Sequence, residues 1–256
     1  MNNKTAAFER ILTIMNELRE QCPWDKKQTI ETLRPLTIEE TYELSDVILR
    51  NDWKGIKEEL GDILLHVVFY ARIGEEQAEF DIADIINTLC DKLIARHPHI
   101  YGDITVKDDE EVKKNWEMLK LKEGKRTVLG GVPSSLPALI KAYRIQDKAA
   151  QVKFEWENIE DVWKKVEEEK QELREAVSDG DPLKIEEEFG DLLFAMVNYS
   201  RFLKVDAEAA LERTNIKFMR RFNFIEERAN ASGKALSSMT LEEMDAIWNE
   251  AKQIGL

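Results

Sequence analysis

Apolar residues recur at three- and four-residue intervals along most of the chain, which is the spacing of one face of an α-helix. The first such face is formed by Phe8, Ile11, Leu12, Met15 and Leu18. Helical patterns follow near 36–50, 56–73, 81–96, 138–150, 159–178, 183–203, 206–231 and 240–253. We find no strand-like alternation, so the sequence predicts an all-α protein, with the strongly apolar helix 56–73 at the centre of its domain.

A stretch rich in glycine, proline and serine interrupts the helical pattern between Lys122 and Pro137. At 256 residues the chain is long enough for two ordinary domains. We therefore predict an N-terminal helical domain over 1–123, a linker over 124–137 and a C-terminal helical domain over 138–256.

One acidic signature occurs in both halves, and its positions are related by a constant offset of 129 residues. The first copy contributes Glu40, Glu43, Glu59 and Asp62, and the second contributes Glu169, Glu172, Glu188 and Asp191. Within each copy the acids form two pairs, each with a spacing of three, which places both members of a pair on one helical face. Two such helices side by side would bring four carboxylates together.

A cluster of four carboxylates repels itself unless a cation neutralises it. Because all the donors are oxygens, the ion expected in each copy is Mg²⁺, with Mn²⁺ as a substitute. The competing interpretation is a solvated acidic helix face, which is common in a chain with 34% charged residues. The duplication favours the metal site. Gly61 and Gly190 also favour it, since a glycine inside a helix suggests close approach of another helix or of a ligand.

Composition narrows the choice of partners. A formal net charge of −14 argues against a nucleic acid polymer, whose binding requires a basic surface. No apolar run approaches the length of about 18 residues that a membrane span needs, so no membrane partner is expected. Two cysteines do not suggest a disulfide framework, and we expect the protein to reside in the reducing cytoplasm.

The acidic motifs, Glu-Glu-x-x-Glu followed by Glu-x-x-Asp, resemble those of the all-α nucleoside triphosphate pyrophosphohydrolases. Three longer segments are similar to the tandem-domain MazG family: the runs from Cys22 to Thr29, from Arg96 to Asp103 and from Phe189 to Ala195. The resemblance covers essentially the whole chain. It implies two helical-bundle domains, Mg²⁺-dependent cleavage of nucleoside triphosphates between the α and β phosphates, broad base tolerance and a homodimer.

Carried over by position, the family's metal ligands fall on Glu169, Glu172, Glu188 and Asp191. Its nucleotide contacts fall on Lys165, Glu168, Lys217, Arg221 and Trp248. Lys217 and Arg221 lie four residues apart, so both could hold a triphosphate, although such a pair can also be a solvated basic face. Glu168 is a candidate general base. Trp248 could stack on a base, or it could simply anchor the last helix.

The two copies differ beside their acids. Lys92, Arg96 and Trp116 parallel Lys217, Arg221 and Trp248, but Leu36 stands where the second copy has Lys165, and Cys90 where it has Asn215. The first copy therefore lacks one cation and one amide suited to a nucleotide. We predict that the C-terminal domain carries most of the nucleotide turnover.

Two other functions stay open at this point. One is a narrower pyrophosphatase acting on dUTP, dCTP or phosphoribosyl-ATP. The other is a non-catalytic helical protein whose acidic helices bind a basic partner; it would release no pyrophosphate with Mg²⁺.

Overall fold

The structure, a computed structural model, describes residues 3–108, 111–112, 115–116, 119 and 127–256. The chain divides into two compact units, 1–119 and 120–256. Throughout the described ranges the regular elements are helices, with no strand. The all-α prediction is therefore confirmed. The domain limits at 123/124 and 137/138 stay predictions, and residues 124–126 of the predicted linker lie outside the described residues.

Within residues 3–108, the first unit contains a helix α1, a short 3₁₀ turn and four further helices. Their bounds are α1 Asn3–Gln21, the 3₁₀ turn Asp25–Lys27, α2 Ile30–Leu49, α3 Trp53–Glu76, α4 Ile82–Arg96 and α5 Pro98–Tyr101. Helix α2 packs along α3, and α1 packs on α3 as well. The core consists of Met15, Leu33, Val68, Phe69 and Ile73. Three of these five residues lie on α3, as expected for the most apolar helix.

The second unit repeats this arrangement around a second pair of long helices. Its elements are α6 Ala138–Gln151, α7 Ile159–Asp179, α8 Pro182–Phe202, α9 Ala207–Ala231, a 3₁₀ turn Leu236–Ser238 and α10 Leu241–Gln253. Helix α7 packs along α8, α6 packs on α8, and α10 packs on α9. The α7–α8 pair corresponds to α2–α3, so the sequence duplication is also a structural one.

Helix α2 begins six residues earlier than its sequence pattern indicates, and it contains Pro35 in its interior. A proline there removes one backbone hydrogen bond. Two features offset this cost. The Thr29 side chain accepts a hydrogen bond from the backbone N–H of Thr32, and the Thr32 side chain accepts one from the backbone N–H of Thr29. Leu33 is fully buried in the core.

Tight turns join the two helices of each pair. Asn51 (φ 54°) and Gly180 (φ 73°) adopt the left-handed conformation that ends the first helix. Asp52 and Asp181 then cap the second helix, each accepting hydrogen bonds from backbone N–H groups of its first turn. The same turn geometry in both units fixes how the acidic helices face one another.

Gly61 and Gly190 lie inside α3 and α8, where an added Cβ would meet no atom of the described residues within 4 Å. The described residues therefore place no neighbouring helix against either glycine, and that part of the expectation was wrong. Approach of a ligand or partner stays a prediction. Among the described residues, no helix combines the length and apolar character that a bilayer span requires.

Candidate active site

Five carboxylates of the second unit come together across the α7–α8 pair. Two overlapping groups, each with ligand oxygens within 4.8 Å of one another, share Glu169; the first is Glu168, Glu169 and Glu172, and the second is Glu169, Glu188 and Asp191. Glu169 is the only one of these acids that is buried, at 6% exposure. The four predicted metal ligands of this copy are thus divided between two groups that share Glu169, and Glu168 belongs to the first of them.

Lys165 neutralises part of this cluster. Its Nζ donates to Glu168 at 2.6 Å and lies 2.7 Å from Glu169. These two hydrogen bonds raise the pKa of Lys165, so it stays protonated at any physiological pH. A lysine four residues before a buried glutamate on the same helix reaches it directly. In the sequence analysis, Lys165 was named only as a nucleotide contact implied by the family resemblance.

The remaining charge is not balanced. Desolvation, a hydrogen bond with Glu169 and the charges of Glu169 and Glu188 raise the pKa of Glu172, while Lys165 opposes the shift. A group of like charges at this separation is stabilised by a divalent cation. Because every donor is a carboxylate oxygen, the cluster fits a hard ion such as Mg²⁺ or Mn²⁺.

The first unit has a smaller cluster. Oxygens of Glu40, Glu59 and Asp62 lie within 4.8 Å of one another, but Glu43, a predicted ligand, is not part of this group. Glu43 is still close enough for its charge to contribute to the raised pKa of Glu40 and of Glu59, for both of which desolvation is the larger cause.

Neutralising one acid of this first cluster should stabilise the cation-free protein. Because the pKa of Glu40 is raised in the fold, its charged form is disfavoured there, and the wild-type carboxylate loses stability as pH rises through that raised pKa. We expect Glu40→Gln to raise the thermal midpoint in chelator at neutral pH by roughly 1–4 °C. The gain should vanish below about pH 4.5, where the unfolded-state carboxylate is also protonated.

The matched control is Glu17→Gln, which removes an exposed acid of α1 that does not contribute to the raised pKa of Glu40. It should leave the midpoint nearly unchanged. A midpoint for Glu40→Gln at or below wild type at neutral pH would show that repulsion in the first cluster does not destabilise the fold.

Two of the predicted nucleotide contacts, Arg221 and Trp248, form a separate group on α9 and α10. The Arg221 guanidinium lies 5.3 Å from the Trp248 ring centroid, and its Nε donates to the Leu256 carbonyl at 2.8 Å. Trp248 also packs on Phe218, with centroids 5.1 Å apart. The tryptophan therefore anchors α10 to α9. Within the described part of the chain, no hydrogen bond, ion pair or ring contact connects this group with the acidic cluster.

The first unit repeats the arginine–tryptophan pair, with the Arg96 guanidinium 5.6 Å from the Trp116 ring centroid. The predicted parallel between Trp116 and Trp248 is thus visible in the packing. Lys92 and Lys217 are exposed, and Asn215 is exposed with its amide donating to Glu212. The role of these residues in nucleotide binding stays a prediction.

A cavity of about 570 Å³ opens beside the acidic cluster of the second unit. Lys165, Glu169 and Asp191 form one part of its wall. Most of the remaining wall is apolar or aromatic, with a few polar groups; it is lined by Leu129, Ile145, Gln146, Ala149, Lys153, Phe154, Glu155, Trp156, Phe194, Ala195, Asn198 and Arg201. Its volume is that of a small-molecule site, which is roughly 300–1,000 Å³.

The sequence motifs did not identify Gln146, Asn198 or Arg201, because none of them belongs to the acidic signature. For Asn198 and Arg201, a longer alignment of the two copies gives information that the acidic motifs do not. Extending the comparison of the copies by ten residues beyond Asp191 aligns Arg201 with Arg72, and Asn198 with Phe69. A polar residue that replaces a large aromatic one in an otherwise similar helix marks a place where the second unit has space.

Comparison with known proteins agrees with the duplication. The MazG nucleotide pyrophosphohydrolase domain matches twice, over 28–101 and 157–224. The chain is 47% identical over 250 residues to the nucleoside triphosphate pyrophosphohydrolase/pyrophosphatase MazG of Thermotoga maritima, covering 96% of this chain and 95% of the relative. It is 42% identical over 257 residues to the nucleoside triphosphate pyrophosphohydrolase of Escherichia coli K12, covering 96% and 97%.

Among solved structures, the crystal structure of a mazG-related protein from Thermotoga maritima aligns with 44% of this chain and 98% of its own, at 27% identity and a TM-score of 0.39. The two domain matches and the two full-length relatives identify the chain. It is a tandem-domain member of the MazG nucleotide pyrophosphohydrolase family.

Proposed function

We propose that this chain hydrolyses nucleoside triphosphates between the α and β phosphates, giving a monophosphate and pyrophosphate, and that it requires Mg²⁺. The observation that carries the proposal is the five-carboxylate cluster of the second unit, which lies beside Lys165 and opens into a cavity. The names of the full-length relatives support the same activity. Broad tolerance of the base belongs to this proposal.

Glu169, Glu172, Glu188 and Asp191 would hold the cation. When bound, the ion neutralises phosphate charge and makes a coordinated water more acidic. Lys165 lies at the wall of the cavity and is permanently charged, so it is placed to pair with a phosphate oxygen. A water attacks the α phosphorus, the bond to the bridging oxygen breaks, and pyrophosphate leaves with that oxygen.

Glu168 is the proposed acceptor of the proton from the attacking water. Its side chain is 56% exposed, so water reaches it, while Lys165 fixes the position of its Oε1. The other acids of the cluster would be ligands of the cation. A carboxylate that is held in place but remains open to solvent is the type of group that can serve as a general base.

We propose further that the second unit carries the turnover. It has a lysine beside its acids and a cavity next to them, whereas the first unit has Leu36 at the position of Lys165 and its group of three acids lacks Glu43. The first unit would bind a cation more weakly and contribute to assembly.

A homodimer in the cytoplasm is part of the proposal. Large apolar side chains remain exposed along α8 within the single chain, among them Phe189, Leu193 and Met196 at 43–53% exposure. Such a row beside an open glycine suits contact with a second protein surface. Light scattering would measure the mass in solution.

The direct test is pyrophosphate release from ATP, CTP, GTP and UTP with Mg²⁺ as the added cation. We expect one pyrophosphate and one monophosphate per nucleotide, with rates for the four bases within about tenfold of each other. Chelator should reduce the rate to background, because the ion that would neutralise phosphate charge and make the attacking water more acidic is then removed. Release of inorganic phosphate alone, or activity on one base only, would contradict the proposal. A protein that only binds basic partners would release neither product.

A further inference from the structure

A buried histidine of the first unit has a ring nitrogen without a hydrogen-bond partner. His66 lies on α3, one helical turn after Asp62, and is 7% exposed. Its Nδ1 atom is buried, and no described residue forms a hydrogen bond with it. Unpaired buried polar atoms are rare in folded proteins, and an ion that completes them is one ordinary explanation. Neutral imidazole is also the most common metal ligand among protein side chains.

This histidine lies beside the acidic cluster of the first unit. Glu59, Asp62 and His66 are spaced by three and then four residues, so their side chains project from one face of α3. Burial lowers the pKa of His66, and the charge of Asp62 opposes that shift, so the two side chains are close to one another. The imidazole is not a member of the group of three acids whose oxygens lie within 4.8 Å of one another. It extends that group by one helical turn.

The second unit indicates which way this position faces. Ala195 is the counterpart of His66, and it lines the same cavity wall as Asp191, the counterpart of Asp62. Because the two helix pairs share their turn geometry and their acidic positions, a side chain at position 66 faces the acids of its own unit. The acidic signature ends at Asp62, so it did not identify this histidine.

An imidazole nitrogen changes the kind of ion that a carboxylate cluster prefers. Oxygen-only ligands suit Mg²⁺, whereas imidazole suits first-row transition ions such as Fe²⁺, Ni²⁺ and Zn²⁺. Asp62 and His66 lie four residues apart, which is the spacing at which two side chains of one helix hold a zinc ion in metalloproteases. The first unit also has Leu36 where the second has Lys165, so no ammonium group at that position competes with a cation.

We propose that the first unit binds a divalent transition-metal ion through its three clustered acids and the imidazole of His66, and that it prefers such an ion to Mg²⁺ more strongly than the second unit does. The weaker cation binding proposed above for the first unit then applies to Mg²⁺. This site would be distinct from the one proposed to turn over nucleotide, and cation binding there does not depend on pyrophosphate release.

The test measures cation binding in proteins that each keep one acidic cluster intact. Glu169→Gln leaves the first cluster unchanged, and Glu40→Gln leaves the second. Isothermal titration calorimetry without nucleotide gives the Kd of each protein for Co²⁺, as the transition-metal probe, and for Mg²⁺. We expect the preference for Co²⁺ over Mg²⁺ to be at least about tenfold larger in Glu169→Gln than in Glu40→Gln.

Removal of the imidazole should abolish that difference. In the Glu169→Gln protein, His66→Gln should weaken Co²⁺ binding at least about tenfold and change Mg²⁺ binding less than about threefold. His99→Gln removes an imidazole elsewhere in the same unit, so it is the matched control and should leave both affinities unchanged. Visible absorption of bound Co²⁺ is a second readout, because the bands change when a nitrogen ligand is lost.

A gain-of-function variant protects the test against a folding defect in His66→Gln. Ala195→His gives the second unit the residue of the first, and the cavity of about 570 Å³ that Ala195 lines has room for the ring. In the Glu40→Gln protein, Ala195→His should strengthen Co²⁺ binding about tenfold without a similar gain for Mg²⁺. An unchanged preference for Co²⁺ in folded His66→Gln would overturn the assignment. If His66→Gln does not fold, absence of a gain in Ala195→His would overturn it.

Discussion

Replacing Glu169 by glutamine should reduce Mg²⁺-dependent pyrophosphate release by at least about a thousandfold, equivalent to about 4 kcal/mol. Glu169 is the one acid that belongs to both carboxylate groups of the second unit, and it is buried. The amide has nearly the same shape but removes the charge that a cation requires. The measurement is single-turnover pyrophosphate release at saturating nucleotide, with circular dichroism to check that the variant is folded.

Glu40→Gln is the matched control, because Glu40 occupies the equivalent position of the first copy. If the second unit carries the turnover, Glu40→Gln should retain activity within a few-fold of wild type. The opposite result, with Glu40→Gln inactive and Glu169→Gln active, would assign catalysis to the first unit. Full activity of both variants would show that neither acidic cluster takes part in the reaction.

Lys165→Leu gives the second unit the residue that the first unit has naturally, and it should lower kcat/KM for nucleotides about 10- to 100-fold. The reason is loss of the charged donor for the phosphates. The cation should still bind, and it should bind at least as tightly as in wild type, because the ammonium group no longer occupies Glu168 and Glu169. Steady-state kinetics and the increase in thermal midpoint with added Mg²⁺ measure the two effects separately.

Lys170→Leu provides the comparison for that variant, since Lys170 lies on the same helix and pairs with Glu167. It should leave both kinetics and cation binding unchanged. A Lys165→Leu protein that had lost its response to Mg²⁺ would show that the lysine organises the acidic cluster and does not act on the phosphates.

The sequence predicted the helices and the grouping of the acids well, because both depend on short-range spacing. Glu169, Glu172, Glu188 and Asp191 lie on two consecutive helices joined by a tight turn, so a pattern within about 25 residues determines where they meet. Lys165 lies one helical turn before Glu169 and contacts it, although it was named in the sequence analysis only through the family resemblance. The apolar pattern placed the start of α2 near residue 36, whereas capping by Thr29 and burial of Leu33 extend the helix through Pro35 to Ile30.

The cavity could not be predicted from those patterns. Gln146 and Asn198 come from helices far apart in sequence, and only the fold brings them to the wall of one cavity. Among the described residues, the buried Gln146 Oε1 has no hydrogen-bond partner, and Arg201, which pairs with Glu155, donates to Asn198. Arg221 packs on Trp248 and donates to the carbonyl of Leu256, and the role of both residues in nucleotide binding stays a prediction.

The turn at Gly180 has a consequence for how the second unit folds. It joins α7 directly to α8, so the acids meet by closing a loop of about 20 residues, which is a small entropic cost. The helical hairpin can therefore form before the more distant helices dock. Repulsion among its carboxylates opposes that step, and the cation proposed to bind there would reduce this repulsion. We therefore expect cation concentration to affect the rate at which new chains fold as well as the activity of folded chains.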